Sequence, residues 1–358
     1  MSTFSPSSPH SNGMSRRRFL GHATGALLAL PLGNIRASQT TPPATSDFQF
    51  DPSWPSLSAD RYPEPCQISG VAVAPEGEVL VLNRGENSWN PDKGFAGFQK
   101  KRIQKPAVLV LDPHSGSLLR TWGSDRFVMP HQIFVEPAGR VWIADCGQDK
   151  LFCFDLSGNL LRELGGTRFG FQMPTDMASL SDGRLVVSDG YVNARLLWVE
   201  PDGKISRSLG TRGSRPLQFK TPHSVTVDSE DRIYVADREN HRIQVLSAEG
   251  KFLGMWENVE RPLAVRFQGE SVYVLSNLEA HRGVVRQLNR KGELETVCPT
   301  QPQGAEGDFS WPHGLAVSAD GASLYVGYTL RARRVQRFAR TRKTAPEGKA
   351  SEPVSNGL

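Results

Sequence analysis

Short apolar runs recur along most of the chain, among them Val71-Ala72-Val73, Val79-Leu80-Val81-Leu82 and Val108-Leu109-Val110-Leu111, and turn residues separate each from the next. Runs of that length, rich in Val, Leu, Ile and Phe, predict strands. No long amphipathic helix is visible. The 34 Gly and 25 Pro are dispersed rather than clustered, which suits many strands joined by tight turns. The expected fold class is all-β.

These runs belong to a larger period. Five segments share one template: a Pro near the start, an apolar strand, an Asp-Gly or similar turn, a second strand ending near Asp, and a third strand closed by Gly. Their prolines, Pro130, Pro174, Pro222, Pro262 and Pro312, fall 44, 48, 40 and 50 residues apart. That is the length of one four-stranded blade. A sixth unit precedes them, from Ile68-Ser69-Gly70 to Thr121-Trp122-Gly123. Six such units predict a closed six-bladed β-propeller over residues 61–340, preceded by a leader at 38–60 in which Phe48-Gln49-Phe50 can add an outer strand to the last blade. An insertion at 85–105, carrying Trp89, Phe95 and Phe98, is long enough to be either functional or disordered. The polar tail at 341–358 is expected to be disordered.

The residue after the initial Pro is His131, His223 and His313 in the second, fourth and sixth units, but Thr175 and Leu263 in the third and fifth. The start of a blade's innermost strand faces the central channel, and alternate blades of a six-fold ring stand about 120° apart. The three imidazoles are therefore expected to converge on the axis, where three neutral His ligands with an open fourth position suit a catalytic zinc. The competing reading is that Pro-His is a common entry to such blades and each His packs or bonds locally. His114, His241 and His281 fall at turns and are expected on the surface.

Charge removes some partners from consideration. The formal net charge is +5, but Arg16, Arg17, Arg18 and Arg36 lie in a segment, 1–37, that holds no Asp or Glu and reads as a cleavable signal; subtracting those four leaves +1. A nearly neutral domain offers no footprint for nucleic acid or an anionic membrane. Ser15-Arg16-Arg17-Arg18-Phe19-Leu20-Gly21 resembles a twin-arginine export signal, so the expected location is periplasmic or extracellular, with no membrane span. Of the four cysteines, Cys146 could pair with Cys153 and Cys66 with Cys298, or all four could be buried thiols.

At this point a family becomes visible. Residues 68–338 resemble the catalytic core of peptidyl-α-hydroxyglycine α-amidating lyase, an NHL-repeat six-bladed propeller, through Asn83-Arg84-Gly85, Met129-Pro130-His131, Ser188-Asp189-Gly190-Tyr191, Pro222-His223-Ser224 and Ala236-Asp237-Arg238-Glu239-Asn240. The resemblance implies zinc on His131, His223 and His313, a catalytic base at Tyr191, an essential arginine at Arg84 and Arg238 lining the pocket. Its chemistry is cleavage of the C–N bond of an α-hydroxylated amide to amide and glyoxylate, with a small molecule or a peptide C-terminus as partner. Asp145, Asp189 and Asp237 recur in the repeats and read as turn-forming. The chain also departs from the family's pattern. Gly314 stands where the family has a calcium-binding aspartate, which leaves calcium without that ligand; the family's other calcium ligands are carbonyls corresponding to Val71 and Ile133. Trp311 replaces the usual Met before the last Pro-His, which is expected to reshape the pocket, and Val192 replaces a disulfide Cys beside the tyrosine. Two further functions stay open: a non-catalytic propeller that binds a peptide, glycan or protein, and a metal-dependent hydrolase on the same scaffold. The pattern points to no particular oligomeric state.

Overall fold

The computed structural model describes residues 46–56, 66–89, 94, 100–165, 170–257, 259–301, 310–330 and 332–341. The export signal, much of the leader, the middle of the 85–105 insertion and the tail beyond 341 lie outside the described residues. Six four-stranded antiparallel sheets follow one another, each ordered from the innermost strand outwards. The innermost strands are Ile68–Val73, Pro130–Val135, Asp176–Ser179, Pro222–Val227, Pro262–Gln268 and Pro312–Val317, and each packs beside the next all the way round the axis. The fold is thus the six-bladed propeller expected from the repeats.

Each second strand is buried on both faces, for instance Val79–Asn83, Val141–Asp145 and Ile233–Asp237. Successive side chains of such a strand point to opposite faces, so alternate residues serve the two neighbouring blades. Val79 and Val81 pack with Ala316 and Tyr325 of blade six, whereas Leu80 and Leu82 pack with Ile143 and Phe152 of blade two. Six apolar clusters of this kind fill the six clefts between blades. The ring closes as anticipated: Phe48–Phe50 pairs with Val335–Arg340 as the outer strand of blade six, Phe48 sits in the cluster between blades five and six, and Trp54 packs in a tilted arrangement against Tyr325. Chain closure of this sort makes the last blade depend on a segment far away in sequence. Among the described residues no helix is long and apolar enough to cross a membrane.

All four cysteines carry thiols rather than disulfides. They are buried in four different clusters, Cys66 between blades six and one, Cys146 beside Met129 and Tyr191, Cys153 between blades two and three, and Cys298 between blades five and six. Both proposed pairings are therefore replaced by the buried-thiol alternative.

Candidate metal and substrate site

In blades two, four and six the pairing of the innermost strand slips by one residue, between Pro130 and Gln132, Pro222 and Ser224, and Pro312 and Gly314. The bulged residue in each case is the histidine. A bulge re-aims a side chain out of the sheet plane, here towards the channel. The three rings meet on the axis with centroids 4.7, 4.8 and 5.1 Å apart, and one nitrogen from each lies within 4.8 Å of the others. His131 and His223 are fully buried and His313 nearly so.

The intervening blades orient the rings. Nδ1–H of His131 donates to the Thr175 carbonyl at 2.6 Å, that of His223 to the Leu263 carbonyl at 2.6 Å, and that of His313 to the Ser69 carbonyl at 2.7 Å. Each acceptor occupies in its own blade the place that histidine takes in the even blades. Because a carbonyl can only accept, Nδ1 carries the proton and Nε2 keeps a lone pair, the arrangement that metal-binding histidines use. Three imidazoles so oriented in a buried site fit a divalent ion such as zinc.

Tyr191 closes one side of the triad. Its hydroxyl lies 2.8 Å from His131 Nε2 and 3.1 Å from His223 Nε2, donating its one proton to this pair of acceptors. Gly190 permits the approach: a Cβ there would fall 1.9 Å from the Pro222 carbonyl oxygen. Burial pushes the phenol up to about 12, against the pull of the Arg238 and Arg84 guanidiniums. Arg84 is buried, donates Nη1–H to Gln67 Oε1 at 2.8 Å and Nε–H to the Pro130 carbonyl at 3.3 Å, and lies over the Trp89 ring. Its Nη2 has no hydrogen-bond partner among the described residues. Burial lowers its pKa from the usual arginine value, with Cys146 and Tyr191 opposing. Arg238 stands 5.6 Å over the Tyr191 ring and bonds Glu239, which also takes Arg261 Nη2 at 3.0 Å. Three guanidiniums thus face the site with one carboxylate among them, an environment suited to an anionic ligand.

A cavity of about 310 Å³ opens above the triad, lined by Arg84, Tyr191, Arg238 and His313. All the sequence-selected residues except the deeper His131 and His223 reach it. Trp311 lines it too, as the expected reshaping of the pocket requires; Arg261, Asn277 and Thr329 also line it and were not singled out. Their places repeat round the ring. Arg84, Cys146, Arg238, Asn277 and Thr329 each follow the residue paired with the first residue of the inner strand. Thr221, Arg261 and Trp311 each precede the blade-initial Pro. Extending the equivalence that exposed the histidines to these two positions would have found them. The surface expectation holds for His114 and His241; His281 is half-buried and stacks on Trp311 with ring centroids 3.6 Å apart. Asp145, Asp189 and Asp237 accept hydrogen bonds from their own turns and from the backbone leading into the inner strand, as expected of structural residues.

Below the triad the channel is blocked. Arg266 of blade five reaches across to Asp176 at 2.9 Å, Ser224 Oγ at 3.1 Å and Gln132 Oε1 at 3.2 Å. At Gly314, a Cβ would fall 2.9 Å from Gly70 Cα, so a larger side chain there would require the backbone of blade one to shift.

Burial also sets a pH response. It holds His131 and His223 well below the ordinary imidazole value and His313 at about 3, helped by neighbouring rings and by Arg84 and Arg238. An unfolded chain takes up these protons near pH 6.5, whereas the folded protein does not until about pH 3 at His313. Between those values the unfolded state binds more protons, so stability falls as pH falls. Urea unfolding of metal-free protein at pH 7, 5.5 and 4 is expected to show this loss, and His223→Gln to flatten it; an equal slope in both would contradict neutral buried rings.

Comparison with known proteins agrees with the architecture. The NHL repeat family matches residues 219–246. Peptidyl-α-hydroxyglycine α-amidating lyase 2 of Drosophila melanogaster is 29% identical over 282 residues, covering 73% of this chain and 68% of that protein. Peptidylglycine α-amidating monooxygenase of Rattus norvegicus is 29% identical over 318 residues, covering 80% of this chain; the chain spans about a third (32%) of that protein's length. NHL repeat-containing protein 3 of Mus musculus is 29% identical over 323 residues, covering 81% and 84%. With six blades closed round one axis and a match to the NHL repeat, the chain is an NHL-repeat six-bladed β-propeller similar to the peptidyl-α-hydroxyglycine α-amidating lyases.

Proposed function

We propose that this protein is a zinc-dependent lyase, acting outside the cytoplasm, that cleaves an α-hydroxylated amide R–CO–NH–CH(OH)–COO⁻ into R–CO–NH₂ and glyoxylate. The observation that carries this reading is the contact of the Tyr191 hydroxyl with two imidazoles of a three-histidine site, under a cavity ringed by arginines. His131, His223 and His313 would hold zinc, which would supply Lewis-acid polarisation in this site. Arg84 binds the substrate carboxylate through Nη2, the donor that otherwise stays buried and unpaired. Tyr191 accepts the substrate's hydroxyl proton. As the C–N bond breaks and the aldehyde C=O of glyoxylate forms, that proton passes to the departing amide nitrogen, so the reaction is balanced without a further reactant. Arg238 and Arg84 lower the cost of charge on the phenol by their proximity.

Zinc-supplemented protein incubated with α-hydroxyhippurate is expected to release glyoxylate and benzamide in equal amounts. Intact substrate with zinc bound would redirect the assignment to a hydrolase or a lyase of another substrate. Protein that takes up no metal would redirect the assignment to a propeller that binds a peptide, glycan or protein.

A further inference from the structure

Asn277 ends the strand Ser271–Asn277 in blade five, and its backbone N–H donates to the Arg261 carbonyl at 3.2 Å. The side chain lines the same cavity as Arg84, Tyr191 and His313, yet the residue is only 6% exposed. Its Oδ1 is buried with no hydrogen-bond partner among the described residues. A buried carbonyl oxygen left unpaired is costly, and such groups in a folded protein call for an explanation. Arg84 Nη2 is the complementary case in the same cavity, a buried donor without an acceptor. Two residues of the pocket wall thus carry, among the described residues, one buried donor and one buried acceptor without partners. A ligand that satisfies both must carry an anion for the first and an N–H or O–H for the second.

Resting on the lyase reading above, we infer that Asn277 binds the amide N–H of the substrate, making the site selective for secondary amides and closed to N-alkylated ones. The assignment follows by elimination. An α-hydroxylated amide with an ionised carboxylate has two donors, the hydroxyl and the N–H. The hydroxyl faces Tyr191, which takes its proton, so the N–H remains for Asn277 Oδ1. The same bond holds the nitrogen while its link to carbon breaks. Discrimination of this type is strong because the wrong ligand leaves a buried polar group of the site unpaired.

The test compares hippurate with N-benzoylsarcosine, its N-methyl counterpart, as unreactive ligands of the zinc-supplemented protein, measured by calorimetry. Wild-type protein is expected to bind hippurate at least about tenfold more tightly than N-benzoylsarcosine. Asn277→Ala is expected to bring that ratio towards one and to raise KM for α-hydroxyhippurate with little change in kcat. Asn277→Asp retains an acceptor at the same place and is expected to keep the preference, which guards against misfolding of the alanine variant. Thr329→Val, at the equivalent position of blade six, is expected to leave the ratio unchanged. Equal affinity of wild type for the two ligands, or an undiminished ratio in Asn277→Ala, would overturn the assignment. If glyoxylate is nonetheless released from α-hydroxyhippurate, the lyase reading survives that result; if neither ligand binds and no glyoxylate appears, both fall.

Discussion

Replacement of His131, His223 or His313 by alanine is expected to abolish stoichiometric metal binding and to lower turnover of α-hydroxyhippurate by about a thousandfold or more. The expectation follows from how the site is built. Three Nε2 lone pairs come from three separate blades, and each ring is held by a single Nδ1–H bond to the backbone of the next blade. No fourth His, Cys or carboxylate joins the cluster among the described residues, so none is at hand to replace a lost ligand. Two imidazoles alone do not make a competent catalytic site. Each alanine also leaves a buried carbonyl without its donor, at a cost of about 1–3 kcal/mol. Elemental analysis should give about one zinc per chain for wild type and a small fraction of that for each variant, while His114→Ala and His241→Ala, both exposed, keep the full amount. Retention of zinc and activity in His223→Ala would remove the basis for the proposed chemistry.

The sequence carried this triad because the repeats number the ring. Once Pro130, Pro222 and Pro312 are aligned, the residue that follows each must occupy the same height on alternate blades, and three histidines there point to one spot. Strand positions were legible for a related reason: the middle strands, buried on both faces, appear as uninterrupted apolar runs. What stayed hidden were contacts that the period does not encode. Arg266 sits in an otherwise ordinary inner strand, and nothing local reveals that it crosses the channel to Asp176, 90 residues away in sequence. Trp311 was visible as a departure that should reshape the pocket, but its stacking on His281 depends on how blades five and six meet. Asn277 holds the position equivalent to Arg84 and Arg238, but none of the motifs that carry the resemblance includes it. The thiols were open between two outcomes, because spacing alone cannot reveal that the four sulfurs lie in four different clefts.

Tyr191→Phe is expected to lower kcat by about a hundred- to ten-thousandfold while leaving zinc content and KM close to wild type, since it removes one general base and little volume. The hydroxyl now donates to His131 Nε2 and His223 Nε2, the same lone pairs that a metal requires. Filling the site must therefore withdraw that proton's acceptors, and the phenol gains a nearby cation at the same moment. Both changes favour ionisation, offsetting the burial that pushes the group up to about 12. A base works only when deprotonated, so kcat should rise with pH through the apparent pKa of Tyr191 in the loaded protein. Arg238 and Arg84 pull that value down, with Arg238 the stronger of the two. Arg238→Ala should accordingly shift the rising limb to higher pH, whereas Asn277→Ala should leave it in place. A Tyr191→Phe variant that keeps its metal and more than a third of wild-type kcat, or an Arg238→Ala profile that does not move, would show that the phenol is not the base.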